Sequence, residues 1–370
     1  MSFLTRSTRC FPVKISRSFL RACTFAAAAA SLASTADADT MFGHLPFDSV
    51  VPVSYAQLAP SGGTLRARVE AVPGVAIGEL QGVAPSEQAI TSGQTARAWS
   101  SGFGFSSRVG SDSNGSGFRT KGGGVVAGFD RFLSPTLLAG VALGYSRTET
   151  NGIGTRNESD TISGAIYGAW APYPGWELEG LIGIDHAEID TSRVLIFGTI
   201  PVTTRGDTRS LGFNAAGNIG YRFQFAAPVG AAFVKPFAGL SYASQDRDGY
   251  SELGQFGPGL VFPSKTFERS TFNLGAATGI DIDAGNGWIV RPELRAAWSR
   301  YLSDPSPDVP AFLGGVPIVL RDPQPGRDGA IVGAEITGIT NGLQLFAGYA
   351  GEFRSNSTAH QGRVGLRLTW

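Results

Sequence analysis

The feature that most constrains this chain is a repeated alternation of apolar and polar residues, interrupted at alternately long and short intervals. A side-chain period of two predicts β-strands, and a tilted strand needs about 9–11 residues to cross an outer membrane. Twelve segments carry the alternation, and each is long enough to cross. They are residues 96–106, 119–131, 136–147, 161–171, 175–188, 209–225, 232–244, 269–282, 288–301, 329–338, 342–353 and 359–370.

The breaks between these segments alternate in length. The odd-numbered breaks are long and polar or proline-rich, at 107–118, 148–160, 189–208, 245–268 and 302–328. The even-numbered breaks are short, at 132–135, 172–174, 226–231, 283–287 and 339–341. Bacterial outer-membrane barrels have long extracellular loops and short periplasmic turns. We therefore expect an all-β fold, a 12-stranded antiparallel transmembrane β-barrel over 96–370 with both of its ends in the periplasm.

The two faces of each strand differ in chemistry. In segment 288–301 one face is apolar, whereas the other carries Arg291, Glu293 and Arg295. An arginine that faces lipid near the midplane costs roughly 2–4 kcal/mol, so this register is strongly specified. The charged faces are expected to line a wet lumen, where they hold a threaded segment, set ion selectivity or pair with one another. The expected lumenal residues are Glu177, Glu179, Asp185, Arg222, Lys235, Arg291, Glu293, Arg295, Glu335, Glu352, Arg363 and Arg367.

Tryptophans lie at the ends of the expected strands. Trp99, Trp170, Trp176 and Trp288 fall at periplasmic ends, as does Trp370, and Trp298 lies toward the outer end. Membrane barrels carry aromatic girdles at both interfaces. We therefore predict that these residues form the interface girdle.

The N-terminal residues have the layout of a secretory signal peptide. Basic residues from Arg6 to Arg21 precede the alanine-rich stretch 22–33, and residues 36–38 form a small-x-small cleavage pattern. A disordered basic N-terminus is the alternative. Removal of residues 1–38 takes away both cysteines and leaves 25 basic and 29 acidic residues, a net charge of −4. Export through the inner membrane is the expected outcome.

Composition and the stretch that precedes the first strand fit this interpretation. Glycine accounts for 51 of 370 residues and charged residues for 16%, whereas about a quarter of an ordinary soluble chain is charged. One face of every barrel strand has to meet lipid, which lowers the charged fraction. Residues 39–95 contain several prolines and no sustained period. They are predicted to form a short linker, a vestigial passenger or a lumenal plug.

Several motifs resemble those of autotransporter β-domains. The glycine-rich runs 99–105, 122–130 and 138–145 resemble that family's opening strands, and 291–298 is similar to its late-strand motif. The ending 364–370 resembles the outer-membrane insertion signal, with Leu366, Leu368 and Trp370 as the assembly signal. The resemblance covers about residues 95–370. It implies a barrel that is inserted by the barrel assembly machinery and exports an N-terminal passenger through its lumen, although 39–95 is too short for a repeat-rich passenger.

The sequence offers no constellation that suits catalysis or a metal. Asp185 and His186 are adjacent, and neighbours along a strand point to opposite faces. His360 lies on an apolar face and is interpreted as an interfacial residue. The stretch 281–287 begins like a calcium loop, but its twelfth position is Pro292 rather than glutamate. We expect no enzyme activity, no cofactor and, given the net charge of −4 without a basic stripe, no nucleic-acid partner.

We interpret the chain as an integral outer-membrane barrel of a Gram-negative bacterium. It is expected to act as a translocator, surface-display or pore module of autotransporter type with little or no passenger. A small porin or an adhesin that binds through its loops, notably 309–320, is the alternative. A secreted soluble β-sandwich and a barrel hydrolase rank below these. The expected partners are outer-membrane lipid, the barrel assembly machinery and the chain's own N-terminal segment in the lumen, and a monomer is expected.

Overall fold

A computed structural model describes residues 96–370, except positions 135, 153, 198–199, 229, 255–256, 305–307, 321 and 341. The expected signal peptide, 1–38, and the segment 39–95 lie outside these residues. The described part is built from β-strands. It contains no helix long and apolar enough to cross a membrane.

Seventeen strands are described, and we number them in chain order. They are β1 Ala96–Val109, β2 Phe118–Ser134, β3 Leu137–Gly152, β4 Thr155–Trp170, β5 Trp176–Phe197, β6 Ile200–Tyr221, β7 Phe223–Ala227, β8 Gly230–Arg247, β9 Tyr250–Gly254, β10 Gly257–Phe262, β11 Lys265–Gly285, β12 Trp288–Tyr301, β13 Val309–Leu313, β14 Val316–Leu320, β15 Asp328–Thr340, β16 Leu343–Arg354 and β17 Ser357–Thr369.

Twelve of these strands form a closed antiparallel barrel. They are β1 to β6, β8, β11, β12 and β15 to β17, and each pairs with its neighbour in that order. β1 and β17 close the barrel in register from Arg97↔Thr369 to Val109↔Ser357. Closure leaves the barrel without a free sheet edge. The predicted fold class is therefore confirmed.

The prediction of long breaks at 148–160 and 189–208 is wrong. β3 continues to residue 152 and β4 begins at 155, while β5 continues to 197 and β6 begins at 200. The extensions of β3 and β4 still alternate, but between two polar faces: Thr148, Thr150, Asn157 and Ser159 are buried, and their chain neighbours are polar and exposed or partly exposed. In this barrel a strand alternates between apolar and polar residues only where one of its faces meets lipid. The alternation therefore stops at the membrane surface, although the strand itself continues.

The breaks expected at 107–118, 245–268 and 302–328 are also more ordered than predicted. β1 continues to residue 109. The second break contains the hairpin β9–β10, and the third contains the hairpin β13–β14. Glycines with positive φ close the latter at Gly314 (φ 56°) and Gly315 (φ 85°), a conformation that glycine adopts without strain.

Burial in this barrel is the reverse of that in a soluble protein. Large apolar side chains such as Val141, Ile166 and Val364 are exposed on the outer wall, where lipid surrounds an outer-membrane barrel. Charged and hydroxyl side chains are buried inside. The interior is therefore the place where polar chemistry is concentrated.

Candidate functional site: the lumen and its outer cap

One charged cluster near the short-turn end of the barrel is centred on Glu177 of β5. Its carboxylate accepts hydrogen bonds from Arg222 Nε (2.7 Å) and from Lys235 Nζ (3.0 Å). Arg222 also lies over the ring of Phe233, 3.9 Å from its centroid. Glu179 Oε1 lies 3.9 Å from Lys235 Nζ. The alternation of β5 and β8 brings these charges to one side, where they neutralise one another.

Further inward charges pair between strands around the barrel. Arg291 of β12 binds Asp281 of β11, with Nη2 to Oδ2 at 2.6 Å. Arg363 of β17 pairs with Glu335 of β15. The first pair joins adjacent strands, and the second spans β16 at Gly348, which is in register with both Glu335 and Arg363. Opposite charges at matching positions largely satisfy these desolvated groups.

Two other inward arginines contact neutral groups. Arg295 lies over the ring of Phe237, 3.9 Å from its centroid. Arg367 Nη1 donates to Gln344 Oε1 at 2.9 Å. The structure places inside the barrel these eight residues of the expected lumenal set: Arg222, Lys235, Arg291, Glu293, Arg295, Glu335, Arg363 and Arg367.

A second cluster, which the sequence did not reveal, links β1, β2 and β4. Arg97 Nε donates to Asp130 Oδ1 at 2.5 Å, and both side chains are 1% exposed. The Tyr167 hydroxyl donates to Asp130 Oδ2 at 2.7 Å, and Trp99 Nε1 donates to the Tyr167 oxygen at 2.6 Å. The chain of hydrogen bonds ties the first two strands to the fourth. Asp130 and Arg97 lie 33 residues apart, so no local motif marks them.

Trp99 corrects the girdle prediction. Its side chain is 4% exposed and packs inside the barrel against Tyr167, with a ring-centroid distance of 6.3 Å. Trp170, Trp176 and Trp298 are exposed on the outer wall, and Trp288 is partly exposed there. Trp99 lies two residues after Arg97 and therefore shares its inward face. Position at a strand end alone does not tell which way the ring points.

The residues of the expected assembly signal face outward along β17. Leu366 and Trp370 are exposed, and Leu368 is partly exposed. Trp370 follows β17 and exchanges two backbone hydrogen bonds with Ala96, at 3.0 and 3.1 Å. Its ring lies 6.1 Å from that of Phe129 on β2. Trp370 is therefore part of the seam that closes the barrel.

The two hairpins at the long-strand end join into one small sheet. β9 pairs with the extension of β6 at Thr204↔Gly254, and β10 pairs with β9. β10 also pairs with β13 at Leu260↔Leu313, and β13 pairs with β14. We call β9, β10, β13 and β14 the cap sheet. Short turns lie in the periplasm, so the cap sheet lies at the extracellular end.

The cap sheet is fixed to the barrel by a buried ion pair. Glu252 of β9 accepts hydrogen bonds from Arg193 of β5, from Nε at 3.0 Å and from Nη2 at 2.9 Å. Thr204 of β6 donates to the same carboxylate at 2.7 Å. Both charged side chains are 0% exposed. Arg193 and Thr204 belong to the inward faces of their strands, so the cap sheet lies over the lumen.

An apolar cluster fills the space beneath the cap sheet. From the sheet it contains Tyr250, Leu260, Phe262, Val309, Ala311 and Leu320, and from the barrel wall Ala243 and Phe267. Arg247 of β8 lies within 5.6 Å of the ring centroids of Tyr250, Phe262 and Phe267. Tyr250 and Phe262 stack 4.7 Å apart. The cap sheet therefore has a packed core of its own, shared with the barrel wall.

The segment that follows the cap sheet is tied to the opposite rim. The backbone N–H of Gln324 donates to Asp112 Oδ2 at 2.7 Å. Asn356 Nδ2 donates to the carbonyls of Gly110 (3.1 Å) and Gln324 (3.2 Å). Arg354 Nη1 donates to the carbonyl of Arg327 at 2.7 Å. These contacts connect the β12–β15 segment with the loops that flank β1, on the side of the mouth away from β6.

The described residues contain no group of three or more His, Cys, Asp or Glu side chains arranged to hold a metal ion. Asp185 is buried and accepts a hydrogen bond from Asn214 Nδ2 at 2.8 Å, whereas the next residue, His186, is exposed on the outer wall. The two side chains lie on opposite sides of the wall. A shared acid–base site between them is therefore sterically impossible.

The family is decided by a match along most of the barrel. Residues 98–350 match the model of the autotransporter beta-domain. This chain belongs to the autotransporter β-domain family. Solved barrels of this family have the same fold: the translocator domain of NalP from Neisseria meningitidis has a TM-score of 0.57 at 16% identity, covering 76% of this chain and 92% of that one. The Bordetella BrkA β-domain gives 0.56 at 19% identity, covering 75% and 100%.

Curated relatives of this autotransporter β-domain are outer-membrane or secreted proteins. Outer membrane protein A of Rickettsia rickettsii is 24% identical over 269 residues, which are 69% of this chain and 12% of the relative. The extracellular serine protease of Serratia marcescens is 26% identical over 74% of this chain and 26% of its own length. The chain thus spans about an eighth to a quarter of these relatives. The protein is an outer-membrane β-barrel of the translocator type.

Proposed function

We propose that this autotransporter β-domain is a surface-display module whose outer mouth, apart from the chain that passes through it, is closed by its own cap sheet once the barrel is assembled. The observation that carries the proposal is the cap sheet itself, pinned by the Arg193–Glu252 pair and continuous with β6. A porin needs a permanently open mouth, whereas a display module needs one only while chain passes through it.

The charged residues of the lumen also favour a display module over a porin. Glu177 pairs with Arg222 and Lys235, and Arg291 pairs with Asp281. A selectivity filter depends on charges of one sign that remain available to permeating ions. Charges that satisfy one another instead keep a narrow interior wet and rigid. Mutual pairing of these residues therefore fits a structural lining of the barrel better than it fits a selectivity filter.

An adhesin that works through its outer surface is the second candidate. The face of the cap sheet that points away from the lumen exposes Leu253 (68%), Val319 (56%) and Phe312 (38%). Exposed apolar groups that lie together mark interaction sites on many proteins. This surface would be available to a partner at the cell surface whether or not anything is displayed.

The proposal assigns no catalysis and no cofactor to the barrel. Its partners would be outer-membrane lipid around the wall, the barrel assembly machinery during insertion and the chain's own segment 39–95. We expect a monomer, and in support of this the twelve strands close on themselves, so the barrel offers no edge to which a second copy could add a strand.

Surface display is tested by an epitope inserted within 39–95. Antibody should bind the epitope on intact cells that carry a heat-modifiable, folded barrel. The matched control carries the same epitope in the periplasmic turn 172–174, which should bind antibody only after the outer membrane is permeabilised. A folded barrel whose epitope in 39–95 stays inaccessible on intact cells would contradict surface display.

A further inference from the structure

A trough crosses the lipid-facing wall between β3 and β8. It consists of two adjoining cavities of about 890 and 550 Å³, which share Gly168, Gly180, Gly217 and Leu240. The register aligns these floor residues in one row, since Gly168 pairs with Gly180, Gly180 with Gly217 and Gly217 with Leu240. Strands in a sheet lie about 4.8 Å apart. The trough therefore runs across the strands and not along them.

The barrel does not need glycine at two of the three glycine positions among these four floor residues. A Cβ atom at Gly180 would meet nothing nearer than the Ala216 carbonyl at 3.8 Å, and one at Gly217 would meet the Glu179 carbonyl at 3.7 Å. Neither glycine has a positive φ. Glycine inside a strand weakens it. The absent side chains therefore open a trough at the expense of strand stability, at two positions where the surrounding atoms leave room for a Cβ.

Apolar side chains form the walls of the trough. One wall is lined by Val141, Ile166, Ile182 and Ala215, and the other by Leu137, Trp170, Leu178 and Ile219. Trp170 lies near the short-turn end of β4, and Tyr242, toward the outer end, closes the first wall. Tryptophan and tyrosine mark the two membrane interfaces. The trough therefore lies within the hydrocarbon layer, where an occupant has to be apolar.

A second copy of the barrel cannot fill this trough symmetrically. A twofold axis along the membrane normal would bring each trough against its own copy. Two concave surfaces that face each other leave a void, and a void forfeits the dispersion contacts of its lining. A flexible hydrocarbon chain has no such restriction, because it follows the floor.

We propose that the trough binds one hydrocarbon chain of an outer-membrane lipid and holds it longer than the rest of the barrel wall does. Moving a hydrocarbon chain from the bilayer to the trough gains no hydrophobic free energy, because lipid tails are as apolar as the wall. Close van der Waals packing against backbone supplies the selectivity, as it does where glycines let transmembrane segments approach closely. The barrel thus carries a lipid site on the outside that is independent of its lumen.

The site can be tested with a phospholipid that carries a photoactivatable diazirine in its acyl chain. The full chain is reconstituted into vesicles of phosphatidylethanolamine and phosphatidylglycerol that contain the probe, and the cross-linked residues are mapped by mass spectrometry. Ile166 and Ile182 should be labelled at least about threefold more than Val364 and Leu366, a ratio that corresponds to about 0.6 kcal/mol. All four are similarly exposed on the outer wall.

Substitutions in the floor of the trough test whether the floor glycines cause the stronger labelling. Gly180→Leu together with Gly217→Leu should bring the labelling ratio to about one, while the barrel keeps its heat-modifiable mobility. The same substitutions to alanine provide a milder variant, for which the structure has room. Gly362→Leu is the matched control, since a Cβ there meets nothing within 4 Å and β17 lies away from the trough.

Two results would overturn the proposal. Even labelling around the wild-type barrel would show an ordinary lipid shell. Disulfide-linked dimers of an Ile182→Cys variant would show that a second copy occupies the trough instead. The chain's two cysteines, Cys10 and Cys23, precede residue 39, so a dimer formed by the processed chain would report on residue 182.

Discussion

Arg193 of β5 and Glu252 of β9 form a fully buried ion pair, with three hydrogen bonds at 2.9, 3.0 and 3.2 Å. One partner belongs to the barrel wall and the other to a hairpin that returns over the lumen. Burying two charges is expensive, and close geometry with an additional donor, here Thr204, is what offsets the cost. The pair therefore specifies where the cap sheet lies rather than merely adding stability.

Loss of the carboxylate should release the first cap hairpin. Glu252→Gln leaves Arg193 buried without its countercharge, and removal of one partner of a buried pair costs about 3–5 kcal/mol. Protease added to intact cells should then cut within 250–262 faster than in the wild type. Glu188→Gln is the control, because its pair with Arg209 at 3.7 Å is 67% exposed on both sides and surface pairs contribute about 0–1 kcal/mol. Equal cutting of both variants would contradict the pinning role.

The Asp130 network should stabilise the barrel itself. Asp130→Asn removes the charge partner of Arg97 and weakens the acceptor of the Tyr167 hydroxyl, so the folded form should lose about 3–5 kcal/mol. The temperature at which heat-modifiable gel mobility is lost should fall. Asp328→Asn, which disrupts the half-exposed pair with Arg300 at 3.2 Å, should leave that temperature nearly unchanged. If the two variants melt together, the network is not a stability element.

Trp370 should matter for assembly more than other outward tryptophans do. It lies in the closing seam and contacts Phe129 across it, so Trp370→Ala should slow barrel closure and leave unfolded protein in the periplasm. Pulse-chase sampling of the folded band measures this rate. Trp298→Ala removes a similar exposed ring from β12, away from the seam, and should close at the wild-type rate. Normal surface levels of Trp370→Ala would argue against an assembly signal at 364–370.

The cap sheet should loosen at alkaline pH. Burial raises the pKa of the Tyr250 hydroxyl to about 12, from about 10 in the unfolded chain. The folded cap therefore favours the protonated phenol, and its stability, complete below pH 10, declines as pH rises from 10 to 12. Protease cutting within 250–262 should rise over that window in the wild type. Tyr250→Phe should remove this component, and an unchanged alkaline profile in that variant would exclude Tyr250 as its source.

The sequence predicted the barrel because lipid imposes a strict chemical pattern. Each crossing strand has to show an apolar face, and the inward arginines at 291 and 295 fix the register of β12. The same logic predicts which charged residues turn inward. It could not predict their partners, since Asp281 with Arg291, and Glu335 with Arg363, depend on how neighbouring strands are staggered.

The alternation of apolar and polar residues could not predict the cap sheet, for a different reason. Beyond the membrane surface no face has to be apolar, so the extension of β5 to residue 197 carries no lipid signature. The sequence shows that 309–320 is apolar, but the pairing of this stretch with β10 joins residues 53 positions apart, Leu260 and Leu313. Trp99 shares a face of β1 with Arg97, and that charge, rather than the position of Trp99 at a strand end, indicates that the ring points inward.

The central claim, that the cap sheet closes the outer mouth, is tested most directly by conductance in planar lipid bilayers. Four chains are compared: the full chain, the chain without 39–95, the chain with 250–262 and 309–320 replaced by short glycine–serine linkers, and the chain with both changes. Deletion of 39–95 separates any contribution of that segment from that of the cap. We expect steady open-channel conductance from the doubly changed chain, and little from the chain that lacks 39–95 but keeps its cap sheet. Open conductance from the latter chain, equal to that of the doubly changed one, would contradict the account.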